Sequence, residues 1–577
     1  LLDRTRNMNW NRMALGVAAL TVAVATTWSQ PAQACGGFFC DGGGPPMPVD
    51  QTGETILFVV DGAAVEAHIQ IQYMGEAENF SWVIPVMSLP EFAVGSQPLL
   101  DAMVVGTQPR HQAQWQYDQC GDPGDPGPPD GGGDDGGASG GDDEGGDGDG
   151  DGGPDVVLRQ VVGAFEAVVL QGGTAQEVIE WLDANGYAQD PEAEPILQNY
   201  LDEGAMFAAL KLTGGTDVDE IHPIVLRFTD GEPCVPLRLT RIAAVEDMDV
   251  RSFFLAPARM APTNYRHVLV NPAQIDWLSG GANYRDVVTL AVDEENADGR
   301  AFVTQYAGDP SVVQNRQFIY NEIWDETVFP GAEPTTVMDL LQGQNMGGCF
   351  GEGGGCQWGH PLILGLLRQY LPAPDGVPED GFYANPGGYT IDTEAWDGAA
   401  FAADYRSRVI DPGLDGLAAL EANPYLTRMF TTISPAEMTE DPVFHANTDL
   451  PEVANVETAT IRQFCSGDRL VTLPDGRQIF LGAGDPWPDF GDEMPWSEDI
   501  ERLPVAGSPE NLTDNTELID QLLADYNEGR EPDPGQGGGS DDGTDTTAGC
   551  ACTSGGSAAF GWTLLGALGA VVRRRRR

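Results

Sequence analysis

The chain has 577 residues, with 29 Lys+Arg against 89 Asp+Glu and a formal net charge of −60. So much acid, with a single lysine at Lys211, excludes a general nucleic-acid binder, because phosphate binding needs clustered Lys and Arg. A hydrophobic fraction of 41% excludes a wholly disordered chain, and 74 Gly and 42 Pro point to linkers and a loop-rich, β-leaning fold of about three to four domains.

Taken from Met8, the chain opens as an address. Arg12 gives a positive start, residues 13–27 are an apolar run short for a membrane span, and Ala32-Gln33-Ala34 is a small-x-small cleavage site. Residues 8–34 are therefore expected to be a secretory signal peptide, cut after Ala34. That cut leaves Cys35 first, as in a lipoprotein. The Leu of a lipobox is missing, so lipidation of Cys35 ranks second.

Residues 55–60 (TILFVV) read as a strand running into Asp61-Gly62, a hairpin dipeptide. Val65, Ala67, Ile69, Ile71 and Tyr73 then alternate with Glu66, His68, Gln70 and Gln72. That period of two belongs to a half-buried strand and puts His68 on its solvated face. Residues 80–86 complete an expected antiparallel meander. Residues 120–155 hold twelve acidic residues and no basic one. With almost no apolar side chain they cannot offset the entropy of folding, and they read as a self-repelling linker. Asp147-x-Asp149-x-Asp151-Gly152 imitates the start of a calcium loop, but Leu158 stands where the bidentate Glu belongs. Plain linker is preferred to calcium at Asp147, Asp149 and Asp151.

Residues 161–170 read as strand. Thr174 and Glu177 spell a capping box for a helix carrying Val178, Ile179 and Leu182, ended by Asn185-Gly186. A second helix begins at Pro195. Strands are expected at 206–212, 223–228, 235–242, 253–255, 268–270, 287–292 and 302–304. From about residue 321 the texture changes. Residues 336–341, 360–371 and parts of 398–425 look helical, and 471–481 form a hairpin around Asp475-Gly476. The expected fold class is α+β: a sheet-dominated antiparallel N-terminal domain (35–119 and 156–320) with an inserted helical pair. A more irregular mixed domain (321–527) and a stalk (528–549) follow.

At the other end, residues 558–572 are apolar and as a helix cover roughly 22 Å, short of a ~30 Å hydrocarbon core. Five arginines at 573–577 hold that end on the cytoplasmic side. Cys550 and Cys552, a short hydrophobic helix and an Arg cluster, in this order, resemble the myxobacterial carboxy-terminal sorting signal (MYXO-CTERM), over residues 550–577. The resemblance implies transit across the inner membrane, contact with membrane and sorting machinery, processing or lipid attachment at Cys550 or Cys552, and display at the cell surface.

The ACGGFF start at 34–39, then YMGEAENFSWVIPV, VGAFEAVVL, EVIEWLDANGY, MFAALKL, HPIVLRF and CVPLRLTRIAAV resemble the bacterial family called domain of unknown function 2330. This resemblance covers about residues 51–304, and residues 426–444 are similar to sequence that travels with the family. It implies a secreted or surface protein and supplies no catalytic residues.

Export favours disulfides. Of nine cysteines, seven lie outside the sorting end. Cys349 and Cys356, joined by a Gly-rich loop, are the best local pair, with Cys35 and Cys40 next. The odd count leaves a free thiol or a lipidated Cys35. Zinc spacing, a His-Glu-x-x-His pair and a phosphate-binding loop are absent from the sequence. Calcium aside, no cofactor is expected. The acidic run 293–299 reads as a turn before it reads as calcium. Aromatics among the acids of 485–496 read as core before they read as a sugar platform. The leading function is a surface-displayed, non-enzymatic envelope, adhesion or binding component. The alternative is a secreted, glycosidase-like hydrolase with dispersed carboxylates, which leave no local motif.

Overall fold

The computed structural model describes residues 50–74, 81–119, 154–185, 193–213, 221–349, 355–391, 396–491 and 493–530. The expected signal peptide, Cys35, Cys40, Asp147, Asp149, Asp151, Cys550, Cys552 and the apolar stretch at 558–572 lie outside the described residues. Among the described residues no helix is long and apolar enough to cross a membrane.

β1 (Asp50–Asp61) and β2 (Ala64–Met74) form the expected hairpin. Gly62 takes φ 64°, the left-handed value its turn requires. The chain continues through β3 (Ser81–Val86), β4 (Glu91–Val94), α1 (Gln97–Thr107) and β5 (Arg110–Tyr117). After the acidic segment come β6 (Asp155–Val162), β7 (Phe165–Gln171), α2 (Ala175–Ala184), α3 (Ala193–Asp202), β8 (Met206–Leu212) and β9 (Ile224–Phe228). Next are the one-turn α4 (Leu237–Thr240), β10 (Ala244–Ala256), β11 (Met260–Pro262), β12 (Arg266–Val270), α5 (Tyr284–Val292) and β13 (Ala301–Gly308). A helical module holds α6 (Val337–Gly343), the hairpin β14 (Gly347–Cys349) and β15 (Cys356–Trp358), α7 (Ile363–Tyr370), α8 (Glu379–Ala384), α9 (Gly398–Tyr405) and α10 (Asp411–Ala422). The chain returns as β16 (Tyr425–Ile433), β17 (Phe444–Ala446), β18 (Val456–Gln463), β19 (Arg469–Thr472), β20 (Gln478–Leu481), β21 (Ser497–Arg502), β22 (Glu510–Asp514) and α11 (Thr516–Asn527).

The fold class is α+β. Ten strands share one mixed sheet in the order β22-β21-β12-β13-β16-β10-β1-β2-β9-β4. β1 runs parallel to β10 and antiparallel to β2, and β16 pairs antiparallel with both β10 and β13. The sheet therefore crosses the boundary expected at residues 320/321: the returning strand β16 satisfies the hydrogen bonds that β10 and β13 offer. β3, β8, β7 and β6 make a separate antiparallel sheet. It lies against one face of the large sheet, where Ile56, Phe58, Ala67, Leu226 and Phe254 pack with Ile84, Phe165, Ala167 and Leu210. Helices α2 and α3 cover its outer face through Val178, Leu182 and Leu197. On the far side of the large sheet, Leu57, Phe253 and Leu255 bury Leu99, Leu100 and Met103 of α1. Strand β1 is thus covered on both faces, which explains its unbroken TILFVV run.

Several local expectations are corrected. β3 pairs with β8, not with β2, so the meander stops after two strands. Residues 161–170 span a turn between β6 and β7, where Gly163 has φ 62° and a Cβ would meet the His222 ring. Residues 235–242 turn through α4, because Pro236 ends the pairing and the Arg238 amide goes to Asp441 Oδ1 at 2.9 Å. Residues 287–292 are helix, not strand: Val287, Val288, Ala291 and Val292 are buried at helical spacing, and that packing overrides valine's strand preference. His68 is buried, since β2 lies inside the sheet between β1 and β9 with α1 behind it, and its Nε2 meets Glu66 Oε1 at 2.7 Å. The capping box at Thr174 and Glu177 forms as the sequence requires.

Candidate functional site

A cavity of about 420 Å³ opens between the large sheet and the small one. Its walls are apolar: Ile56 and Phe58 of β1, Val65, Ala67 and Ile69 of β2, Ile84 and Val86 of β3, and Leu226 and Phe228 of β9. Alternation along each strand sends these residues to one face. The volume falls within the range of small-molecule sites.

The rim is a closed set of hydrogen bonds around Arg238. Its Nε donates to Asp441 Oδ2 at 2.9 Å, and its two terminal nitrogens donate to the two Glu203 oxygens at 2.7 Å each. The Tyr200 hydroxyl donates to Asp441 Oδ2 at 2.8 Å, and the guanidinium lies 4.1 Å over the Tyr200 ring. Burial pushes Asp441 up, against the donors that hold its charge. Segment 439–443 is fixed here by a bridge between Cys234 and Val443 and by Asn264, which donates to the Asp441 carbonyl at 2.9 Å.

Cys234, an exposed residue, lines the cavity with a free thiol. Burial of the sulfur, then the Asp441 carboxylate, push it up to about 12. A thiol so disfavoured as thiolate is a poor nucleophile. Glu54 shares the β1 face of Ile56 and Phe58 and is 1% exposed. Its Oε2 has no hydrogen-bond partner, and burial, then Asp441, push the carboxyl up to about 8.

A second polar cluster has the look of catalysis. His267 Nδ1 meets Glu501 Oε2 at 3.0 Å and Nε2 meets Thr304 Oγ1 at 3.0 Å, an acid–base–hydroxyl chain in the order of a nucleophilic triad. Arg259 donates to the same Thr304 oxygen at 3.1 Å and to the Pro451 carbonyl at 2.8 Å. All four side chains are buried among β12, β13 and β21, and none lines the cavity. Burial, opposed by Glu501, holds His267 below its ordinary range. With Arg259 also directed at Thr304 Oγ1, the network is a sheet-locking set of hydrogen bonds.

The other histidines do not assemble a site. His222 Nε2 accepts the Ala164 amide at 3.1 Å, and its Nδ1 meets the Pro223 carbonyl at 2.9 Å; burial lowers it to about 4. Burial lowers His360 to about 3 and His111 to about 4. Among the described residues no group of three or more His, Cys, Asp or Glu is placed to hold a metal ion. In the acidic run 293–299, Glu294 turns inward and accepts the Trp496 amide at 2.7 Å. Trp487 donates to the Ala273 carbonyl at 3.0 Å and packs with Trp496 against the core beneath β18–β20. Cys349 and Cys356 form the expected disulfide, closing the β14–β15 hairpin with Cα atoms 4.0 Å apart. Cys465 is also disulfide-bonded.

Sequence reasoning missed the cavity, because its walls come from segments between residues 56 and 443 with no shared motif. The odd cysteine was the available signal, and it marks the cavity at Cys234.

Fold and site together define an α+β protein in which two of the sheets stack with an apolar cavity between them. The chain belongs to the domain of unknown function 2330 family, described as an uncharacterized protein conserved in bacteria, whose profile matches residues 30–318. No curated protein and no solved structure matches it. The matched segment contains every cavity residue except those at 439–443.

Proposed function

We propose that the protein is an exported, surface-anchored binding component of the cell envelope, and that it holds an apolar ligand in the cavity between the sheets. The carrying observation is an apolar cavity whose cationic rim residue is matched by two carboxylates, beside a thiol held protonated. That arrangement binds and positions; it activates no nucleophile. Export and anchoring are supported by the signal-peptide pattern at 8–34 and by the resemblance of residues 550–577 to a sorting signal, with Cys550 or Cys552 as the processing site. The acidic coat suits solubility outside the cell.

Binding is tested with the neutral probe N-phenyl-1-naphthylamine, whose fluorescence rises on entering an apolar site. Saturable enhancement is expected, and Ala67→Phe, which fills the floor, abolishes it. Enhancement that survives Ala67→Phe in a folded protein contradicts the reading. Anchoring is tested by proteolysis of intact cells with and without residues 550–577. Equal shaving in both cases removes the anchor.

A further inference from the structure

The class of ligand follows from the charges left over at the cavity mouth. Arg238 is the cation among the lining residues, and Glu203 and Asp441 engage it fully. Glu440 lies 3.9 Å from Arg300, which neutralises it in part. Asp230 and Glu232 also line the cavity, are exposed, and have no cationic or hydrogen-bonding partner among the described residues. Met87 and Ser88 complete this exposed edge. The mouth is therefore negative and the interior apolar.

We infer that the cavity takes an amphiphile with one cationic head and an apolar body, of the long-chain ammonium class, with its head at Asp230 and Glu232 and its body between the sheets. This rests on the apolar-ligand reading above and adds the sign of the head group. An anionic amphiphile such as a fatty acid meets two unpaired carboxylates at the mouth and is disfavoured by the same charges.

The test displaces N-phenyl-1-naphthylamine from the full chain with dodecylammonium, dodecyltrimethylammonium, dodecanol and dodecanoate, each below its micelle concentration. The two cations are expected to displace the probe at roughly tenfold lower concentration than dodecanol, with dodecanoate weakest, and high salt compresses the series. Shortening the alkyl chain weakens binding roughly fourfold per methylene. In the Asp230→Asn, Glu232→Gln double variant the ammonium and alcohol values converge. If dodecanoate competes as well as dodecylammonium, or if the double variant keeps the preference, the head-group inference is wrong while the cavity reading stands. If the probe does not bind, or if Ala67→Phe leaves binding unchanged in a folded protein, the cavity reading itself fails.

Discussion

Two polar clusters of this protein look alike by residue type, one at the cavity rim and one in the core. One gathers Arg238, Asp441, Glu203 and Tyr200; the other gathers His267, Glu501, Thr304 and Arg259. The second has better catalytic geometry, with two 3.0 Å contacts in the order acid, imidazole, hydroxyl. Yet its groups are sealed within one sheet, whereas the first borders about 420 Å³ of apolar space. Space beside the polar groups, more than the groups themselves, separates a site from a structural lock. Chemistry needs a position where a reacting atom can sit.

The largest effect expected from this contrast is in the sealed network. His267→Ala leaves Glu501 and Thr304 buried without their shared partner and should lower the unfolding free energy by about 4 kcal/mol. A urea titration reads it directly. A loss under about 1 kcal/mol means that the network does not lock the sheet. Next comes Glu54. In the unfolded chain its carboxyl ionises near 4.5, whereas in the folded protein it does so near 8. Between those values the folded state holds a proton that the unfolded state has released. Stability is therefore fully present below pH 4.5 and is lost as pH rises toward 8. Glu54→Gln should remove that slope and raise stability at pH 8, with little gain at pH 4.5. A parallel pH profile for the two proteins contradicts the burial of an ionisable carboxyl there. The smallest effect is at the rim. Tyr200→Phe deletes one of three hydrogen bonds to the Asp441 carboxylate and should cost about 1 kcal/mol. A loss matching that of His267→Ala would erase the distinction between rim and lock.

Short-range features were legible from the residues. Asp61-Gly62 turns β1 into β2, Thr174 and Glu177 cap α2, and a Gly-rich loop brings Cys349 to Cys356. Each depends on neighbours within a few positions. Other elements depended on distant partners. The VVTLAV run reads as a strand by composition, but α5 packs its valines on β12, β13 and β16. His68 alternates as if exposed, but β9 and α1 arrive to bury that face. The site was hidden for the same reason: Ala67, Tyr200, Cys234 and Asp441 meet only after the sheets stack. The odd cysteine count was visible, but nothing local joined it to a cavity wall.

If the proposed ligand site is filled in the living cell, native mass spectrometry of the protein purified from its own cells without detergent detects what it holds. A co-purifying apolar amine at one per chain, absent from Ala67→Phe, is expected. A wild-type protein carrying no bound molecule, with a mass equal to that of its bare chain, would contradict it.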